Sequence, residues 1–194
     1  NQIHKLREFV MNMGRSGARM VGFNNQGFDY PVLHWIMNHP GCTVEDIYNY
    51  AMSVIKSDIK FGVVVWDNEQ IVPQVDLFKI HHFDNRAKSQ SLKGLEIAMR
   101  SRNVRDLPFP VGTYLTNEQK DVLISYNAHD TAETGKFYAR SLPEIHLRES
   151  LSDKYGVNML NFSNTKIGGT ILVTQMEAAG IQCYTRDAGG RKVP

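Results

Sequence analysis

Gly22-Phe23-Asn24-Asn25-Gln26-Gly27-Phe28-Asp29-Tyr30-Pro31-Val32-Leu33 is the stretch on which the reading of the whole chain turns. Arg19-Met20-Val21-Gly22-Phe23 is short, apolar and bounded by glycine, which suits a buried strand, and Asn24-Asn25-Gln26-Gly27 reads as a loop. Pro31 then leads Val32, Leu33, Trp35 and Ile36 into a predicted helix over 30–38. Asp29 thus sits just past the C-terminal end of a strand, where the chain turns into a helix.

Outward from this stretch, Ile3, Leu6, Val10 and Met13 recur at helical spacing, predicting a helix over 2–13 that Gly14 and Gly17 stop. Thr43-Val44-Glu45-Asp46 has the spacing of a helix start, for a helix running to Ile55. Residues 61–66 and 71–80 are rich in strand formers, and the polar Asp67-Asn68-Glu69-Gln70 between them predicts two strands and a turn. Ser91-Leu92-Lys93-Gly94-Leu95-Glu96 opens a helix ending near Arg100, and the prolines of Leu107-Pro108-Phe109-Pro110 dictate an irregular connection. A long helical pattern follows from Thr116, with Val122, Leu123, Tyr126, Asp130, Phe137 and Tyr138 on one broad stripe, and Pro143 predicts the start of a further helix reaching Tyr155. Strands alternating with helices point to an α/β layered domain over residues 1–160, with 161–194 a separate small segment.

Composition narrows the function classes. The chain has 194 residues, 42% hydrophobic and 22% charged, enough for one sizeable core. A net charge of only +2 leaves no global basic field, so contact with nucleic acid has to come from a local cleft. Cys42 and Cys183 form no C-x-x-C pair, which argues against a disulfide framework or a zinc site and for a reducing, cytoplasmic setting. No apolar run approaches the roughly 18 residues of a membrane span. The chain begins without Met inside a predicted helix and ends in Gly189-Gly190-Arg191-Lys192-Val193-Pro194, so both ends read as cuts in a longer protein.

The Asn24 to Asp29 stretch resembles the second exonuclease motif of proofreading DNA polymerases, an Asn, a three-residue gap, an aromatic and an Asp. Tyr126-Asn127-Ala128-His129-Asp130 resembles the third motif, Tyr-x-x-x-Asp, and four residues of helix put Tyr126 and Asp130 on one face. Between them, Val75-Asp76-Leu77-Phe78 and Ser91-Leu92 with Leu95 resemble the Asp-Leu-Tyr strand and Ser-x-Leu helix start of family B polymerases. On these residues, over about 20 to 145, the chain is similar to the DnaQ-like 3′–5′ exonuclease domain of a phage-type family B polymerase, of the subclass with Tyr before the last Asp. Asn164-Thr165-Lys166-Ile167-Gly168 looks like the lead into a polymerase module.

The resemblance implies an RNase H-like α/β fold lacking its N-terminal strands, and hydrolysis of DNA 3′ ends. It implies two Mg²⁺ or Mn²⁺ ions held by Asp29 and Asp130, with Tyr126 on the attacking water or the phosphate, and Asn24 and Phe28 on the substrate. Its implied partners are a single-stranded 3′ end or primer-template DNA and a polymerase module in the parent chain, with no membrane, in a host cytoplasm if viral. Such chemistry needs hard oxygen ligands for a pair of cations about 3.5–4 Å apart. The family's first motif, Asp-x-Glu, is absent ahead of Asn24; the one Asp-x-Glu, Asp67-Asn68-Glu69, follows the second motif and reads as a turn. The rival implication is a nucleic-acid-binding or structural domain with an incomplete site.

Other polar residues have plainer readings. His81 and His82, adjacent on an expected strand, point to opposite faces and cannot both reach one ion easily. His129 is turned about 100° from Asp130 around the helix. A structural hydrogen bond suits Asp76 at least as well as catalysis. Arg86, Lys88, Lys93, Arg100, Arg102 and Arg105 concentrate charge in one third of the chain, as a strand-binding groove or a solvated face.

Overall fold

In the computed structural model, which describes residues 2–57, 63–186 and 192–193, the chain is mostly helical. Helix α1 (Gln2–Arg15) leads to strand β1 (Met20–Gly22), then α2 (Asp29–Asn38) and α3 (Val44–Lys56). Strand β2 (Gln74–Asp76) runs directly into the short α4 (Leu77–Ile80), followed by α5 (Leu92–Ala98), the 39-residue α6 (Asn117–Tyr155) and α7 (Asn164–Ala178). A two-residue antiparallel pair, β3 (Thr185–Arg186) with β4 (Lys192–Val193), closes the described chain.

This corrects the expected RNase H-like α/β fold. Beside the β3–β4 pair, the described residues hold one sheet of two parallel strands, with Met20, Val21 and Gly22 opposite Gln74, Val75 and Asp76. Helices and the connections that carry Phe23, Val72, Phe83 and Leu160 supply the rest of the packing. The expected hairpin fails for a local reason: residues 63–66 form no strand, Asp67–Glu69 is a single 3₁₀ turn, and only 74–76 of the second run is extended. Residues 58–62, which include the start of the first expected strand, lie outside the described part. Asp76 ends β2 by accepting the amide of Phe78, which caps the α4 turn and converts an apolar run of strand formers into helix.

Several starts follow the sequence closely. Thr43 and Asp46 make a reciprocal capping box at α3. Ser91 accepts the amide of Gly94 at α5, and Thr116 accepts that of Gln119 at α6. Pro143 opens no new helix: α6 passes through it without a break and ends at Gly156, whose φ of 66° suits glycine at a helix C-terminus.

The main core gathers Val75, Leu77, Ile80, Leu95, Phe137 and Ile145 beneath β2, so α4, α5 and α6 are packed around the strand that carries Asp76. A smaller cluster of Val10, Met37 and Val72 fastens α1 and α2 to the run into β2. Tyr30 adds a polar tie, its hydroxyl accepting the amides of Ile71 (2.7 Å) and Val72 (3.3 Å).

Candidate functional site

The turn from β1 into α2 is fixed by a buried carboxylate on the neighbouring strand. Asp76 is fully buried and accepts the amides of Asn24 (2.9 Å), Gln26 (3.1 Å) and Phe78 (3.0 Å). Asn24 takes a left-handed φ of 60°, which Asn tolerates better than most residues. Burial outweighs these hydrogen bonds and raises the Asp76 pKa. Its role is structural: it holds the loop that presents Asp29.

Asp29 opens α2 and Asp130 projects from the middle of α6, yet both line one cavity of about 500 Å³ at the C-terminal end of β1. Gly22, Asn25, Leu92 and Asn127 form further parts of its wall. Asp29 is an exposed residue at the rim, but desolvation of its carboxyl raises the pKa; a bond from its own amide offsets part of the rise and the charge of Asp76 adds to it. Gly22 is required here, because a Cβ would lie 2.5 Å from the Cβ of Asn25.

Asn24 and Phe28 line a second cavity, which shares Phe23 and Asp29 with the first. The residues of the expected second motif therefore surround one carboxylate from two sides. Tyr126 lies one turn before Asp130; burial first, then the nearby Asp130 carboxylate, raise the Tyr126 pKa. Tyr126 lines a different cavity, with Arg105 and Ser125, so Asp29 and Asp130 share the wall of one cavity while Tyr126 stands on another, one helical turn from Asp130.

Asn25 was not singled out by the sequence. It is 4% exposed, and its Nδ2 donates to Gln74 Oε1 at 2.6 Å, while Gln74 Nε2 donates to the Val72 carbonyl at 2.6 Å. This relay fixes the amide orientation and leaves Asn25 Oδ1 as a buried acceptor without a partner, on a residue that lines the Asp29–Asp130 cavity. An orphaned acceptor on a cavity wall that also carries two carboxylates fits a hard cation or its bound water, so the donor set is compatible with Mg²⁺ or Mn²⁺.

On the far side of Asp130, Glu96 is 2% exposed and accepts from or pairs with His129 Nε2 at 3.3 Å. Oxygen and nitrogen atoms of Glu96, His129 and Asp130 lie within 4.8 Å of one another. Glu96 did leave a signal in the sequence, since it stands on the same helical stripe as Leu92, Leu95 and Met99. Asp67 and Glu69 contribute nothing to this region: Asp67 accepts from Asn158, and Glu69 accepts the Trp66 amide.

No family model matches the chain, no curated protein matches it, and no solved structure matches it. No helix among the described residues is long and apolar enough to cross a membrane.

Proposed function

We propose that this chain is the 3′–5′ exonuclease region of a phage-type DNA polymerase, trimming DNA 3′ ends by hydrolysis. The observation that carries this reading is the convergence of Asp29 and Asp130, the acidic residues of two motif-like stretches far apart in sequence, on one cavity. The resemblance proposes their roles and the geometry is compatible with it.

Bound divalent cations would supply Lewis-acid stabilisation and a water acidic enough to attack at neutral pH. Asp29 and Asp130 would hold them from opposite elements, with Asn25 Oδ1 accepting from a coordinated water. Tyr126, one helical turn before Asp130, would orient that carboxylate or the attacking water. Asn24 and Phe28, across Asp29, offer the terminal nucleotide a polar contact and an aromatic one.

A second reading, strand binding without cleavage, is favoured by one observation: the only Asp-x-Glu of the chain is folded into a 3₁₀ turn engaged elsewhere. Digestion of a 5′-labelled single-stranded DNA with Mg²⁺ or Mn²⁺ separates the two. A ladder shortening from the 3′ end, reduced on the order of 100-fold or more in Asp130→Ala, supports the exonuclease. Tyr126→Phe is expected to lose about tenfold, the scale of one hydrogen bond to a charged group. A ladder of equal rate in wild type and Asp130→Ala, or none at all, sinks the assignment.

A further inference from the structure

We infer that a basic basin beside the carboxylate cavity binds the backbone phosphates of a single-stranded nucleic acid. Arg100, Arg102, Lys136 and Arg140 line one concavity of about 350 Å³, together with Ser101 and Asn103. Lys136 is spent on the buried Glu133, at 2.5 Å. Arg100, Arg102 and Arg140 are exposed and have no carboxylate partner among the described residues. The basin therefore keeps three uncompensated guanidinium groups in a protein whose formal net charge is only +2.

Arg100 occupies a costly position. Its amide donates to the Ile97 carbonyl and that of Ser101 to the Glu96 carbonyl, which closes α5, and its φ is 59°. Glycine is the usual residue in that left-handed conformation, and an arginine there carries a steric penalty that glycine avoids. Backbone strain held at a cationic side chain, in a concavity, points to use of the side chain.

Position supplies the ligand. His129 and Glu133 face the basin while Asp130 and Thr134 face the carboxylate cavity, so the two concavities flank the same stretch of α6. The identity of the polyanion rests on the exonuclease reading: a strand whose 3′ end occupies the cavity continues past this helix, and guanidinium forks match its phosphates. Contacts of this kind are sequence-tolerant and strongly salt-dependent.

The test is fluorescence anisotropy of a labelled oligo-dT strand in EDTA, between about 50 and 200 mM salt, a range over which phosphate contacts are sensitive. In the variant R100G/R102Q/R140Q the slope of log K against log salt should become less negative by about 2, from about 0.7 per lost phosphate contact. Affinity at the low-salt end should fall about tenfold or more. R100G alone should melt at or above the wild-type temperature and still bind more weakly, an opposition that a merely structural arginine would not produce; this arm decides if the triple variant fails to fold. Unchanged slope and affinity in both arginine variants, or no salt-dependent binding by the wild type, overturns the basin. Cleavage is read separately: a chain that binds through the arginines but never cuts keeps this inference and loses the exonuclease, and the reverse result keeps the exonuclease alone.

Discussion

Asp76 shows how one buried side chain sets the geometry of a site it does not enter. Its two oxygens serve three amides, two in the Asn24–Gln26 loop and one at the start of α4. Asp76→Ala should cost about 3 kcal/mol, because hydrogen bonds to a charged acceptor are strong and their loss strands the donors. Urea unfolding measures it: the midpoint should fall with the denaturant slope unchanged. At this scale the sequence was partly readable. Asp29, Asp130, Asn24 and Phe28 stand in recognisable spacings, because a strand end and a helix turn are local and fix where such residues point. The Asn25–Gln74 relay was not readable, since its members stand 49 positions apart in sequence and it depends on which strand lies beside β1, a fact not encoded locally.

At the scale of elements, α6 is the backbone of the molecule and Pro143 its weak point. Proline removes one helical hydrogen bond, to the Ala139 carbonyl, and crowds the preceding turn. Pro143→Ala should therefore stabilise the protein by up to about 3 kcal/mol, read as a higher urea midpoint. The sequence suggested a helix start there, because proline favours first turns; packing of Phe137 and Ile145 into one core on either side holds the helix together instead. His81 ties the end of α4 to α6 through Nε2 and Ser141 Oγ at 2.8 Å. Burial, the largest cause, depresses its pKa; Glu144 raises it somewhat and Arg148 lowers it. The fold thus favours neutral His81, and the sign follows. Its contribution is intact above the unfolded value of about 6.5 and is lost as pH falls through the depressed folded value. Between pH of about 7.5 and 5, wild type should lose stability relative to His81→Gln, and parallel curves would remove His81 as the cause. The strands were over-counted for a related reason. Runs rich in Val and Ile fit any half-buried surface, and here a capping Asp and a 3₁₀ turn redirected them.

For the molecule as a whole, Arg148 is the residue that joins its distant parts. It is fully buried, and its five N–H donors meet five acceptors: the carbonyls of Ile80, Glu144 and Phe162, Glu144 Oε2 and Asn164 Oδ1. Asn161 adds a second clasp, accepting the Asp76 amide at 2.8 Å and donating to the Gln74 carbonyl at 2.8 Å. The segment leading into α7 is thereby fastened to the strand that orders the candidate site, a connection that no periodicity or motif in the sequence announces. Arg148→Met preserves apolar bulk but strands buried carbonyls from α4 and the segment before α7, and should cost about 3 kcal/mol or more. Arg148→Lys keeps the charge with three donors in place of a planar five-donor fork, so it should recover less than half of that loss. Hydrogen exchange tells where the cost falls. Amides of α7 should lose protection first in Arg148→Met, ahead of those in the core of α6, since α7 buries little beyond Ile167. Uniform loss across both helices would mean that Arg148 stabilises the global fold and not this junction.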